Sequence, residues 1–133
     1  MHRSLSYYWL MPTYDLEDRT LQFAQQVRIL VLSIPKTIVS FEDGKQLVRS
    51  SGSVAANYIE ANESLSDRDF LHRIKICKKE AKECTLWLKL LSGNLNGNLL
   101  TTANQLLKET NELKLIFAKI IENKILKLEE HVQ

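Results

Sequence analysis

Between residues 70 and 91 the apolar side chains Phe70, Ile74, Cys77, Ala81, Cys84, Leu88 and Leu91 recur at unbroken four-three spacing. At about 100° per residue, that spacing places all seven on one stripe of an α-helix, the a/d seam that helical bundles bury. A strand cannot use it, because a period of two would scatter these residues over both faces of a sheet. The rest of the chain must therefore supply helices that cover the seam.

Three further segments carry the helical period, and none shows sustained strand alternation. The first runs over about residues 15–38, with Leu16, Phe23, Val27, Leu30, Ile34 and Ile38 as its stripe. Asp15, Glu17 and Asp18 open it, where carboxylates suit the helix dipole. Pro35 should kink its last turn or mark its exit. The stretch Ile29 to Leu32 is apolar all round, so this helix is expected to bury more than one face. A polar break at 40–44 precedes a second helix over about 45–61, with Leu47, Ser51, Val54, Tyr58 and Ala61 on one side. Its centre, Ser50-Ser51-Gly52-Ser53, is a poor helix former, since Gly alone costs about 1 kcal/mol against Ala. Such small side chains serve either close approach of a neighbouring helix or contact with a partner.

The third helix spans about 66–91, opened by a Ser66–Asp69 pair that resembles a capping box. Gly93 and Gly97 stop it. The fourth spans about 99–128, with Ala103, Leu106, Thr110, Leu113, Phe117, Ile120 and Ile121 facing inward. Short connections between helices two and three, and three and four, force antiparallel neighbours. The expected fold is an all-α, antiparallel up-down-up-down four-helix bundle over residues 15–133, a length that suits one domain with one core. Residues 1–14, with Tyr7, Tyr8, Trp9, Leu10, Met11 and Tyr14, read as an N-terminal arm that packs on its own domain or a neighbour. No apolar run reaches the roughly eighteen residues of a membrane span, so no membrane role is expected. Cys77 and Cys84 sit about 10 Å apart along one helix, too far to bridge, and read as reduced apolar fillers of a cytoplasmic protein.

The formal net charge is only +2, but its distribution is uneven. Helix three holds seven cations (Arg68, Arg73, Lys75, Lys78, Lys79, Lys82, Lys89) against Asp67, Asp69, Glu80 and Glu83, a local excess larger than that of the whole chain. On a helical wheel Arg68, Lys75, Lys78, Lys79, Lys82 and Lys89 share one flank, while Asp69, Glu80, Glu83 and Trp87 share the other. The basic flank is either a solvated face or a stripe that recognises a phosphate backbone or an acidic partner. With Arg49 of helix two, these six form the candidate nucleic-acid surface; Ile29, Leu32 and Trp87 are the candidate subunit contacts.

Catalytic constellations fail on spacing. A di-metal bundle site needs two Glu-x-x-His pairs pointing inward. The nearest match, Asp69 with His72, lies roughly 90° off the core seam. No Cys-x-x-Cys, phosphate-cradling Gly loop or Gly-x-Ser-x-Gly elbow occurs. Cys84 as a nucleophile would need a nearby His base, and His2, His72 and His131 are terminal or off-face. No catalytic residue, metal or cofactor is expected, and the chain does not read as an enzyme. Asn57 and Glu60 are expected to hydrogen-bond nearby loop or helix ends.

Several segments carry a family resemblance. They are Leu47-Val48-Arg49-Ser50, Ala56-Asn57-Tyr58-Ile59-Glu60-Ala61-Asn62-Glu63, Ser66-x-x-Asp69-Phe70, Lys79-Glu80-Ala81-Lys82-Glu83 and Trp87-Leu88-Lys89-Leu90-Leu91. In this order they resemble the four helix bundle protein family, also called the 23S ribosomal RNA intervening-sequence protein family. The likeness runs from about Leu16 to Leu91, and helix four agrees only in pattern. Departures are Ser51 and Ala55 where the pattern usually has Gly, Ile59 where it often has Arg, and Leu86 where it often has Tyr. Loss of the basic residue at 59 weakens any nucleic-acid surface on helix two. The resemblance implies an antiparallel bundle with relatives that form ring-shaped homopentamers. It further implies association with RNA or DNA, and a protein partner such as a reverse transcriptase. Two function classes follow: a homo-oligomeric, nucleic-acid-associated scaffold, and a protein-binding adaptor whose charge only solubilises it.

Overall fold

A computed structural model of the chain describes residues 15–132, so the arm expected at 1–14 lies outside the described residues. Four helices follow one another: α1 (Leu16–Ser33), α2 (Ile38–Asn62), α3 (Asp67–Ser92) and α4 (Gly97–Val132). No strand occurs among the described residues. Each helix packs on its sequence neighbour and α4 returns to α1, most extensively at α2–α3 and least at α1–α4. The register is antiparallel throughout. Asn62 at the end of α2 donates to Glu17 at the start of α1 (2.9 Å), Arg73 meets Asn57, and Lys124 of α4 reaches Asp67 of α3 (2.6 Å).

The seam of α3 is the axis of the core. Ile74, Cys77, Ala81, Cys84 and Leu88 are wholly buried, and Leu91 nearly so, while Phe70 at the open end is half-buried. Opposite them lie Leu16, Phe23, Val27 and Leu30 of α1, Leu47, Val54, Tyr58 and Ala61 of α2, and Ala103, Leu106, Leu113 and Phe117 of α4. Ser50 and Ser51 are also fully buried, their hydroxyls donating back to carbonyls of α2's own preceding turn. The Cys84 thiol lies 3.3 Å from the Ser50 hydroxyl, and the Cys77 thiol donates to the Val54 carbonyl at 3.6 Å. The small residues of α2 thus serve close helix approach.

One boundary differs from the sequence expectation. The first helix ends at Ser33 and not at 38, and the second begins at Ile38 and not at Lys45. Residue Ile34 is extended (φ −84°, ψ 133°), as the residue before a proline prefers, and Pro35 offers no N–H to continue the helix. Thr37 then starts α2 with a reciprocal capping box: its hydroxyl accepts from Ser40 N (3.0 Å), and the Ser40 hydroxyl accepts from Thr37 N (2.9 Å). The segment 40–44 is therefore helical, and Ile38, expected in the core stripe of α1, is exposed. Gly44 suits its place inside this helix because a Cβ there would stand only 2.9 Å from Cγ1 of Val31 on α1. At the other ends the expectations hold to within a few residues. Ser66 caps α3 by accepting from Asp69 N (3.1 Å), and Gly97, at φ 57°, opens α4.

Candidate nucleic-acid interface

All six cations of the α3 flank are exposed: Arg68, Lys75, Lys78, Lys79, Lys82 and Lys89. None of them joins an ion pair with a described residue. From Arg68 to Lys89 the stripe extends about 32 Å along a helix whose opposite side is locked into the core. Within it Lys75–Lys79 and Lys78–Lys82 are four apart, and Lys75–Lys78 and Lys79–Lys82 three apart. Like charges at those spacings each destabilise a helix by about 0.2–0.5 kcal/mol. A flank serving only solubility would interleave carboxylates.

Three of the four carboxylates of α3, Asp67, Glu80 and Glu83, are engaged elsewhere. Glu80 and Glu83 face α2, where the Arg49 guanidinium donates to both, at 3.3 Å and 2.6 Å. Arg73, on the same flank, donates to Asn57 Oδ1 (3.1 Å). By accepting from Arg73, Asn57 ties α2 to the body of α3 instead of serving a loop; its own amide donates within α2 to the Ser53 carbonyl (2.9 Å), and Glu60 is exposed. Arg49 is thus separated from the other six candidates: it sits on the acidic side of α3 and its charge is matched by two carboxylates. Asp67, at the foot of the stripe, is taken by Lys124.

The structure adds one cation that the wheel of α3 cannot reveal. Lys114 lies ten residues before Lys124, and Asp67 ten before Cys77, so the antiparallel register sets Lys114 level with Cys77–Lys78. It is half-buried and joins no ion pair among the described residues. Only the pairing of α3 with α4 sets it level with the middle of the stripe.

The candidate contact residues lie apart from the stripe. Ile29 and Leu32 of α1 are 57% and 84% exposed, although the apolar run holding them was expected to bury more than one face. Within that run Leu30 enters the core and Val31 covers Gly44, leaving the other two bare. They adjoin the turn into α2, where Ile38, Val39 and Phe41 are also exposed. Trp87 is half-buried on the acidic flank of α3, and its indole N–H has no hydrogen-bond partner among the described residues.

The reactive groups of the interior are held quiet. Burial pushes the thiols of Cys77 and Cys84 up to about 12, so neither supplies a thiolate near neutral pH. Asp69 and His72 are exposed on the outer side of α3. A cleft of about 390 Å³ lies between the α2–α3 turn and α4, and its lining includes Ala61, Asn62, Leu65, Asp67, Phe70 and Lys124. No described helix is long and apolar enough to cross a membrane.

Comparison with known proteins agrees with this architecture. A crystal structure at 1.70 Å of a protein of unknown function, from the S23 ribosomal protein family of Bacteroides thetaiotaomicron, is similar with a TM-score of 0.66 and 28% sequence identity. The likeness covers 79% of this chain and 96% of that one. Nothing among the curated proteins matches. The family model of the 23S rRNA-intervening sequence protein matches residues 14–119, which takes in all of α1 to α3 and most of α4. On that match, well over half its length, the chain belongs to the 23S rRNA-intervening sequence protein family.

Proposed function

We propose that this bundle is a non-catalytic scaffold that associates with nucleic acid through the α3 stripe and assembles with copies of itself. The observation that carries the reading is the charge separation on α3. Glu80 and Glu83 on one flank hold Arg49, while the six exposed cations on the other join no ion pair among the described residues. Cations so arranged gain most from a polyanion, because each phosphate they neutralise releases condensed counterions. Self-assembly would multiply the stripe, converting weak single contacts into avid ones. The bare Ile29 and Leu32, with Ile38, Val39 and Phe41 beside them, and the unpartnered indole of Trp87 suit such contacts. Buried free thiols suit a reducing, cytoplasmic setting.

The test reverses the centre of the stripe. Wild-type protein should retard RNA in a gel at low salt and lose it steeply as salt rises. The variant K75E/K79E/K82E should retard none while keeping its helical circular dichroism. Unchanged affinity in the folded variant sinks the reading. Recovery of a protein partner that survives high salt would point instead to an adaptor held by apolar contacts.

A further inference from the structure

We infer that the α3 stripe takes the backbone of double-helical nucleic acid and discriminates against single strands; this rests on the phosphate-binding reading above and deepens it. Four of the cations, Arg68, Lys75, Lys82 and Lys89, fall seven residues apart, and Lys78 and Lys79 sit between them. On an α-helix that spacing is a rise of about 10.5 Å per step, drifting only about 20° around the axis each time. The result is a nearly straight row about 32 Å long, close to one turn of a duplex, which is about 34–36 Å. Burial of Ile74, Cys77, Ala81, Cys84 and Leu88 beneath it holds the row rigid.

Binding a single strand calls for a series of stacking rings, which the described residues of this surface do not supply. Proteins that hold single strands interleave cations with aromatic side chains on which bases stack, each worth about 1–3 kcal/mol. Among the described aromatics, Phe23, Tyr58 and Phe117 are buried, and Trp87 lies on the opposite flank of α3. Phe70 is half-buried with the Lys124 ammonium 5.3 Å above its ring, and the exposed Phe41 belongs to α2. Beside the row lie Leu71, Leu86 and Leu90, and a single imidazole, the exposed His72, four residues after Arg68 and three before Lys75. A single strand laid here would have to be straightened, with one imidazole and no series of aromatic rings among the described residues to offset the lost freedom. A duplex presents its phosphates already ordered.

The surface is also poorly equipped to read bases. α3 contains no Asn or Gln, and its cations on this flank are five lysines and one arginine. Lysine offers a point charge where specific base contacts use forked donors. Arg73, the other guanidinium of α3, is turned away to Asn57. Recognition should therefore follow charge and helical form, with little regard to sequence.

The experiment is fluorescence anisotropy of the full chain with labelled RNA and DNA duplexes of about 20 base pairs, and with each constituent strand, from about 50 to 200 mM salt. Both duplexes should bind at least about tenfold tighter than any single strand at equal salt. Replacing Lys75, Lys82 and Lys89 by Gln should flatten the logarithmic salt slope for duplex by about 2.7, since each lost phosphate contact removes about 0.9. A single strand that binds as tightly as its duplex overturns the inference and leaves the phosphate-binding reading standing. Absence of binding to every probe overturns both. Preference for RNA duplex over DNA duplex, or the reverse, supports the inference and identifies the source of the backbone.

Discussion

The interaction most exposed to a decisive test lies away from the stripe, at the thin seam between α1 and α4. Arg19 is 2% exposed and Glu109 4%, and they meet in a two-pronged pair: Nε to Oε2 at 2.9 Å and Nη2 to Oε1 at 2.6 Å, with Nη2 also reaching Glu112 Oε2 at 2.8 Å. Replacing Arg19 by Met keeps much of the side-chain volume but strands the Glu109 carboxyl in the interior. Breaking a buried pair from one side costs about 3–5 kcal/mol, because the remaining charge must be desolvated alone or take up a proton. At a urea m-value of about 2 kcal/mol per molar, the midpoint should fall by roughly 2 M. The double variant Arg19→Met/Glu109→Leu removes both charges. It should recover most of that loss, since Glu112 is only half-buried and can turn to water.

The pH dependence supplies a second reading of the same pair. Burial raises the Glu109 carboxyl above its ordinary range, against the pull of Arg19. The folded chain thus holds this proton more tightly than the unfolded chain does. The group's contribution is full below the ordinary carboxylate pKa and is lost as pH rises through the raised one. Removing Arg19 raises the folded value further, carrying the window of loss towards neutrality. Urea titrations followed by circular dichroism should therefore show a smaller deficit for Arg19→Met near pH 5 than near pH 8. A loss under about 1 kcal/mol, or a double variant no more stable than the single one, would refute the reasoning.

Two further outcomes follow from the packing and the charge pattern. With both thiols buried and pushed up to about 12, an aromatic disulfide reagent should label neither Cys77 nor Cys84 in the folded protein and both in urea; rapid labelling of either in the native state contradicts the core described above. Lys79→Glu turns two like-charge pairs, with Lys75 and Lys82, into attractive ones and one attractive pair, with Glu83, into a like-charge one, so it should stabilise α3 by roughly 0.5 kcal/mol at low salt while weakening nucleic-acid binding. Loss of stability together with binding would make Lys79 a structural residue.

What could be read from the chain alone was whatever a single helix encodes. The α3 seam, the sorting of its charges onto two flanks, the Ser66 cap and the Gly97 turn are all local, and the structure holds each of them. The α1–α2 break was misplaced because two local signals competed. Residues 40–44 have the polar composition of a loop, yet the Thr37–Ser40 capping box and the proline before it start the helix earlier. Long-range pairing left no such trace. Arg19 and Glu109 are ninety positions apart, and nothing at either site announces a buried partner. Arg49 reads as one more surface cation until α2 and α3 are docked, and then two carboxylates claim it. Lys114 gains its place from the converse effect. Only the register set by Lys124 and Asp67 brings it level with the stripe, so the extent of a surface built from two helices depends on a quantity, their relative slide, that neither helix carries by itself.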